Sequence, residues 1–359
     1  MLPEGKKTVL VSPLNWGLGH ATRVIPLIRI LKASGVKVIV GAYGRSALLL
    51  KKECPDCVHV ELNGFTPAYS RKFSQSFALM MQGFRFLFLK HKEYELTKRI
   101  VREHDVDMII SDNRYGVRHD HVFSVIITHQ LSPLLNGGLS LFKGAAARFF
   151  KKWIDRFDEC WVPDVTGVSG ISGLLSVNRY GIKNVKHIGV LSRFNKCSTP
   201  VDHGYEFLAV ISGPEPWRSL FEKDLTSLFT KFKAKSAIVR GVPDKDEEEY
   251  TNDGITYFNH LDAGELNTLM CRSDNIICRS GYSTLMDLFK IGRRALLVPT
   301  PGQPEQEYLA VHMSAGFGFL SVDQKNIAGV ESSVFSRYEQ YFTPVKESLP
   351  EFLFDKFRN

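Results

Sequence analysis

The sequence predicts an α/β protein of two domains, each with a parallel sheet covered by helices. Its 359 residues exceed the size of one ordinary domain. Strand and helix patterns alternate in both halves, which is typical of parallel sheets. A polar junction at about 189–205 separates the two series. We therefore expect domains at residues 1–190 and 191–359, with a helix at about 334–357 that could cap either domain or pack back on the first.

The first half begins with a βαβ unit. Apolar residues 7–11 form a strand, a glycine turn follows, and a helix over 24–32 leads to a strand over 36–40. Three further apolar runs read as buried strands, at 58–62, 108–110 and 125–128. This alternation predicts a sheet whose strands all run in the same direction.

The second half repeats the pattern. The predicted strands are 207–211, 237–240, 255–258, 275–278 and 295–299, and the predicted helices include 218–231 and 281–290. Ligands bind at the carboxyl ends of strands in such sheets. We therefore expect the two domains to face each other across a cleft and the chemistry to lie in the loops after the strands.

Composition excludes several classes of protein. The chain is 44% hydrophobic and 23% charged, which is globular rather than disordered. It has no apolar run long enough for a spanning helix and no leader pattern. Six irregularly spaced cysteines argue against a disulfide framework, so we expect a cytoplasmic protein. Cys54 and Cys57 have the spacing of a metal pair, but a second pair is missing and we expect no metal site.

The positive charge is concentrated in the first half. Residues 1–195 hold 28 Lys and Arg against 15 Asp and Glu, a net of +13, whereas residues 196–359 have a net of −5. Such a field indicates an anionic partner. Aromatic and basic residues mix in segments 84–92 and 139–153, which favours peripheral docking on the cytoplasmic face of a membrane. Nucleic acid is not expected, because no binding motif for it is present.

The loop after the first strand contains Gly17, Gly19 and His20. Glycines let the backbone approach a ligand, and an imidazole at the start of a helix suits a general base. The loop lacks the full dinucleotide pattern because Arg23 stands at its third glycine position, so a nicotinamide cofactor is not expected. The alternative for His20 is a helix-terminal histidine bonded to backbone.

The acceptor side is predicted from two other strand ends of the first half. Asp112 and Arg114 follow the strand 108–110, and His129 follows the strand 125–128. Asp112 and His129 are placed to orient an acceptor hydroxyl, and either could replace His20 as the base. Ordinary turn and cap chemistry is the alternative.

The second half carries the strongest motif. Arg279, Ser280 and Gly281 form a turn between a buried strand and a helix, where an Arg fork and backbone N–H groups suit phosphate. Asp287, two turns into that helix, suits vicinal ribose hydroxyls. The proline-rich loop 299–307 presents groups that bind sugar hydroxyls. Together these features predict a nucleotide-sugar pocket.

These motifs resemble the donor-binding signature of GT-B glycosyltransferases, closest to the MurG-like group of glycosyltransferase family 28. The resemblance implies an inverting transferase that uses a UDP-sugar as co-substrate, needs no cofactor or metal, and moves a sugar such as N-acetylglucosamine to a lipid-linked or cell-surface glycan acceptor. It implies a base or acceptor contact at His20. It also implies donor contacts at Ser212, Gly213, Arg218, His260, Leu261, Arg279, Ser280, Gly281, Asp287, Glu305 and Gln306.

Two other functions remain open at this point. A UDP-sugar 2-epimerase would use the same architecture without a second substrate. A non-catalytic nucleotide-sugar-binding protein would bind UDP without turnover.

Overall fold

The structure is a computed structural model that describes residues 7–15, 18–64, 83–132, 143–167, 169–197, 204–242, 249–337 and 339–342. The side chains of residues 83–88, 143 and 337 are outside this description. The chain divides into two compact units, with the boundary between Leu191 and Ser192. We call them unit 1 and unit 2.

Unit 1 is a seven-stranded parallel sheet of order β3-β2-β1-β4-β5-β6-β7. Its strands are β1 Thr8–Pro13, β2 Lys37–Ala42, β3 Val58–Glu61, β4 Met108–Asp112, β5 Phe123–Ile127, β6 Glu159–Val162 and β7 Val185–His187. Its helices are α1 Gly19–Ala33, α2 Gly44–Glu53, α3 Gly83–His104 and α4 Lys143–Ile154, with a 3-10 turn at Gly173–Ser176.

The central strands of unit 1 are buried on both faces. β1 is buried along its whole length, as expected of a strand with helices on either side. The chain leaves β1 for β2 on one side and later returns to place β4 on the other side. This change of direction is the position where α/β sheets bind ligands.

Unit 2 has the strand order β10-β11-β9-β8-β12-β13-β14. Its strands are β8 Phe207–Val210, β9 Ser236–Val239, β10 Glu249–Asn252, β11 Ile255–Phe258, β12 Asn275–Cys278, β13 Leu296–Leu297 and β14 Leu320–Ser321. Its helices are α5 Trp217–Phe232, α6 Ala263–Arg272, α7 Tyr282–Ile291 and α8 Pro304–Phe317, with 3-10 turns at Gln324–Gly329 and Ser332–Arg337. Only the edge strand β10 is antiparallel among the strands described.

Local sequence explains how the helices of unit 2 begin and end. α6 begins with a capping box, in which Asp262 accepts from the Glu265 N–H and the Glu265 side chain accepts from the Asp262 N–H. α7 ends at Gly292, whose φ of 72° is the left-handed conformation that glycine adopts most readily. α8 begins with Pro304 in its first turn.

The predicted α/β class is confirmed, and the differences lie at the sheet edges and the C-terminus. Strands β6, β7, β10 and β14, which lie at or next to the sheet edges, were not predicted from the sequence. The predicted helix at about 334–357 is wrong over its described part, which is a 3-10 turn followed by extended chain. Phe335 inserts into the core of unit 2 against Phe207, and Arg294 binds the Tyr341 carbonyl at 2.8 Å. The rest of that prediction lies outside the described residues.

One cysteine pair is oxidised, although the irregular cysteine spacing argues against a disulfide framework. Cys197 and Cys271 form a disulfide that joins the start of unit 2 to the last turn of α6. Cys54, Cys57, Cys160 and Cys278 are free thiols. No helix in the described part of the chain is long and apolar enough to cross a membrane.

Candidate active site

Sheet register brings two predicted residues of unit 1 together. Pro13 at the end of β1 is paired with Asp112 at the end of β4. The chain after β1 enters α1 at Gly19, so His20 lies in the first turn of that helix. The two strand ends that we expected to carry chemistry therefore meet at the change of direction in the sheet.

Four side chains form one cluster there, which we call the His–Arg–Asp cluster: His20, Arg23, Asp112 and His129. His20 Nδ1 lies 3.1 Å from Asp112 Oδ2 and 2.9 Å from Arg23 Nη2. Arg23 donates two hydrogen bonds to the Asp112 carboxylate: Nε donates to Oδ2 at 3.1 Å, and Nη2 donates to Oδ1. Arg23 Nη1 lies 3.2 Å from His129 Nδ1.

Three of the four side chains in the cluster are closed to solvent. Asp112 is fully buried, Arg23 is 2% exposed and His129 is 4% exposed. His20 retains 15% of its side-chain surface. A buried charge must be paired, and the two-point contact between Arg23 and Asp112 provides this pairing. His20 is thus the member of the cluster that a substrate can reach most easily.

The surroundings of Asp112 do not favour its predicted role as an alternative base. Burial alone would raise the pKa of Asp112, but the charge of Arg23 and the contact with His20 outweigh it and lower the pKa below its ordinary value. A carboxylate held ionised in an ion pair is a weak proton acceptor. Asp112 instead orients His20 and can stabilise its protonated form.

Arg114 was predicted on the acceptor side, and the structure places it in the interior. It is 1% exposed and forms an ion pair with Glu93 at 3.1 Å. Its remaining N–H groups donate to Ser12 Oγ and to the Leu62 carbonyl, both at 2.9 Å. Because its hydrogen-bonding groups serve neighbouring strands, Arg114 is not available to an acceptor.

In unit 2, two strand ends also meet at the change of direction. Val210 at the end of β8 pairs with Cys278 at the end of β12. Ser212 and Gly213 follow β8, and Gly213 has a φ of 110° with no atom within 4 Å of the position that a Cβ would occupy. This geometry favours glycine and leaves room for a ligand to approach the backbone.

The start of α7 forms the second side of this site. Gly281 is the N-cap, so no side chain at that position covers the helix N-terminus. A Cβ on Gly281 would lie 3.9 Å from both Gln306 Nε2 and Thr284 Oγ1. The positive end of a helix, an amide and a hydroxyl therefore surround one point, which suits an anionic group carrying hydroxyls.

Gln306 is fixed by the loop that precedes α8. Its Oε1 accepts from the Thr300 N–H at 2.9 Å, and its carbonyl accepts from Ser280 Oγ at 2.8 Å. The Ser280 hydroxyl is buried and serves this contact, so only its backbone can face a phosphate. Within the described residues, Thr300 Oγ1 and Gln303 Oε1 are buried without a hydrogen-bond partner, which is uncommon in proteins.

Asp287 lies two turns into α7, as the sequence predicts, and the start of unit 2 contacts it. Ser192 Oγ donates to Asp287 Oδ1 at 2.5 Å. Burial raises the pKa of Asp287 to about 6, against the opposing charge of Arg193 and the bond from Ser192. The carboxyl therefore titrates closer to neutral pH than an ordinary aspartate does.

Arg279 was predicted to hold a diphosphate, and the structure directs its side chain into the interior of unit 2. Arg279 is fully buried, and its guanidinium lies 3.9 Å from the centre of the Phe221 ring. Nη1 donates to the carbonyls of Val298 and Pro299, and Nη2 donates to the Trp217 carbonyl and to Gln324, all within 2.9–3.1 Å. Arg279 joins three segments of unit 2 rather than facing a ligand.

Arg218 is also engaged within unit 2. Its Nε donates to Glu215 at 2.6 Å and its Nη1 donates to Glu222 at 2.7 Å. Two ion pairs therefore occupy the guanidinium that was predicted to contact phosphate.

The remaining predicted residues are placed as follows. His260 is buried and Leu261 half-buried after β11, and Glu305 is half-buried in the first turn of α8. Gly19 begins α1, whereas Gly17 lies outside the described residues. In the described parts of the chain, no three His, Cys, Asp or Glu side chains are grouped as metal ligands would be.

Two residues of the site were missed from the sequence. Arg23 was noted only as a departure from a glycine pattern, although its position three residues after His20 puts both side chains on one face of α1. Glu307 accepts from the Gly302 N–H at 2.9 Å and closes the loop before α8. Its nearness to Gln306 in the proline-rich loop was the available signal.

Comparison with known proteins agrees with this description. Residues 219–338 match the glycosyltransferase family 28 C-terminal domain. The chain is 22% identical to an uncharacterized glycosyltransferase of Methanosarcina mazei, over 97% of this chain and 90% of that protein.

Solved structures share the fold at low sequence identity. The glycosyltransferase of kitacinnamycin superposes with a TM-score of 0.60 at 16% identity, covering 93% of both chains. The spinosyn rhamnosyltransferase SpnG, complexed with thymidine diphosphate, superposes with a TM-score of 0.60 at 14% identity, covering 92% of both chains. MurG of Acinetobacter baumannii gives 0.51 at 14% identity, over 92% of this chain and 89% of that one. The predicted resemblance is confirmed: the chain has the GT-B fold, and residues 219–338 match the C-terminal domain of glycosyltransferase family 28.

Proposed function

We propose that the protein transfers a sugar, with inversion, from a UDP-sugar to the hydroxyl of a lipid-linked or cell-surface glycan. N-acetylglucosamine is the sugar that the family resemblance favours. The observation that carries the proposal is the contact of 3.1 Å between His20 Nδ1 and the buried carboxylate of Asp112. A histidine oriented in this way by a carboxylate is suited to act as a general base.

In the proposed reaction His20 donates its Nδ1 hydrogen to Asp112 and accepts the acceptor's hydroxyl proton at Nε2. The hydroxyl oxygen forms a bond to the anomeric carbon while the bond from that carbon to the diphosphate oxygen breaks. Attack from the opposite face inverts the configuration. The ionised Asp112 stabilises the imidazolium that forms, and the nucleoside diphosphate leaves as an anion.

Unit 2 is proposed to hold the donor. The backbone at Ser212 and Gly213 and the N-terminus of α7 suit the diphosphate, and Gln306 suits a sugar hydroxyl. Asp287 is proposed to bind the ribose. The spinosyn rhamnosyltransferase that shares the fold is described with thymidine diphosphate, which supports a nucleoside diphosphate as ligand.

A thermal-shift panel of UDP, dTDP and GDP tests the donor, and His20→Ala tests the base. We expect UDP to raise the melting temperature most, and His20→Ala to keep this shift while transfer of a radiolabelled sugar is lost. His121→Ala, an exposed histidine of unit 1, is the matched control. Full transfer by His20→Ala would refute the proposed base.

Incubation with the UDP-sugar alone separates the alternatives. A new epimeric UDP-sugar would show a 2-epimerase. Binding of UDP without product from any acceptor would show a non-catalytic binding protein. Transfer to an acceptor, with an inverted linkage by NMR, supports the proposal.

We further propose that unit 1 docks on an anionic membrane surface through α4. Phe149 is 42% exposed, and Lys90 Nζ and Arg156 Cζ lie 3.0 and 4.3 Å from the centre of the Trp153 ring. Aromatic and basic side chains in one place suit a headgroup layer. Phe149→Ser should weaken sedimentation with phosphatidylglycerol vesicles, whereas Val311→Ser, which removes a 67% exposed side chain of unit 2, should not. Equal binding by both variants and the wild type would contradict this surface.

A further inference from the structure

The His–Arg–Asp cluster contains more hydrogen-bonding requirements than a histidine and a carboxylate alone. An arginine guanidinium only donates, and an ionised carboxylate only accepts. A neutral imidazole donates at one nitrogen and accepts at the other. Because Arg23, Asp112 and His129 are buried, their contacts with one another constrain where each imidazole carries its proton.

The contact with Arg23 allows only one neutral form of the His129 ring. Arg23 Nη1 lies 3.2 Å from His129 Nδ1, and since the guanidinium must donate, Nδ1 must accept. The proton of the neutral His129 ring is then on Nε2.

The contacts of His20 allow two neutral forms of its ring. Its Nδ1 lies between Arg23 Nη2 at 2.9 Å, which requires it to accept, and Asp112 Oδ2 at 3.1 Å, which requires it to donate. Each choice leaves the opposite group on Nε2: a hydrogen in the first case and a lone pair in the second. Only the second form can accept a proton from a substrate.

We propose that Arg23 is a positioning residue that sets the protons of both histidines: it fixes His129 as the Nε2–H form and holds His20 in exchange between its two neutral forms. The geometry allows this exchange without rotation of the ring, because both partners contact the same nitrogen. The inference rests on the proposed function for its catalytic meaning, since the exchange governs whether His20 can act as base.

The test is ¹⁵N NMR of the full-length protein labelled at histidine, above the pH at which histidines protonate. His20→Gln and His129→Gln identify the two sets of resonances. In the wild type we expect an unprotonated Nδ1 for His129 and averaged, intermediate shifts for both nitrogens of His20. In Arg23→Gln, which loses the guanidinium, we expect His20 to move fully to the Nδ1–H form, because Asp112 is then its remaining partner in the cluster.

Arg29→Gln is the matched control, since Arg29 lies on the same helix with half of its side chain exposed. A protonated Nδ1 on His129, or a wild-type His20 wholly in the Nδ1–H form, would overturn the proposal. These two outcomes need only the wild-type protein and the assignment variants, so they hold even where Arg23→Gln does not fold. Arg23→Lys, which keeps the charge but not the fork, should also shift His20 toward Nδ1–H.

The readout is independent of turnover. If no sugar transfer is found but the resonances behave as expected, the proposed function fails and the role of Arg23 stands. If transfer is found and His20 is wholly Nδ1–H in the wild type, the function stands and the role of Arg23 fails.

Discussion

Asp287 gives a stability prediction that does not depend on any ligand. Burial raises its pKa from the ordinary 3.8 to about 6. A raised pKa means that the folded protein binds this proton more tightly than the unfolded chain does. The favourable contribution is complete below about pH 4 and is lost as pH rises through about 6, so at pH 7.5 the folded protein carries an unfavourable carboxylate.

Asp287→Asn should remove this cost, because an amide oxygen can still accept the Ser192 hydroxyl. This rise in the pKa of Asp287 corresponds to about 3 kcal/mol of free energy of unfolding, because one pKa unit is about 1.4 kcal/mol. The side chain is only partly covered, so solvent reduces the effect and we expect about 1–2 kcal/mol of stabilisation at pH 7.5. At pH 4 we expect the two proteins to be equally stable.

Amide hydrogen exchange of peptides from α7 is the assay, since it reports opening of unit 2 separately from unit 1. Asp287→Asn and the wild type are compared at the same pH, and Asp253→Asn, at an exposed turn of unit 2, is the control. Greater protection at pH 7.5 that disappears at pH 4 supports the reasoning. Equal protection at both values, or lower protection at pH 7.5, would refute it.

Three further predictions concern buried contacts and the donor. Arg23→Met should lower the free energy of unfolding by about 3–5 kcal/mol at pH 7, because it leaves the Asp112 carboxylate buried without its cation. Since the pKa of Asp112 is held below its ordinary value, this difference should shrink as pH falls below about 4; a pH-independent difference in urea titrations would contradict the ion pair. Arg279→Lys should destabilise unit 2 by about 1–3 kcal/mol, because an ammonium cannot reach the Val298, Pro299 and Trp217 carbonyls together; an unchanged melting temperature would argue against this. Gln306→Ala should weaken UDP-sugar binding about tenfold in calorimetry while UDP binding stays the same; an equal loss for both ligands would place Gln306 away from the sugar.

The central strands of both sheets were predictable because they are continuous apolar runs bounded by turns. Strands β6, β7 and β14 were not predicted because they are two to four residues long and lie toward the sheet edges. β10 escaped because all four of its residues are exposed, so it carries no apolar pattern. Short strands of this kind are defined by their partners rather than by their own sequence.

The loops that form the site were predictable from the sequence, but the directions of their side chains were not. Strand alternation placed His20 and Asp112 at one sheet edge, and the register brings them into contact. Arg279 follows a strand as the prediction requires, yet its guanidinium turns inward because carbonyls distant in sequence provide its acceptors. Such long-range acceptors leave no local signal.

The junction between the units has a consequence for dissecting the protein. Ser192 is bonded to Asp287, Asn195 to Asn267 by two hydrogen bonds, and Cys197 to Cys271 by the disulfide. The segment 192–197 is therefore an integral part of unit 2. A gene fragment that started at Tyr205 would expose the Asp287 carboxyl and leave an unpaired thiol at Cys271, so separate expression of unit 2 should begin ahead of Ser192.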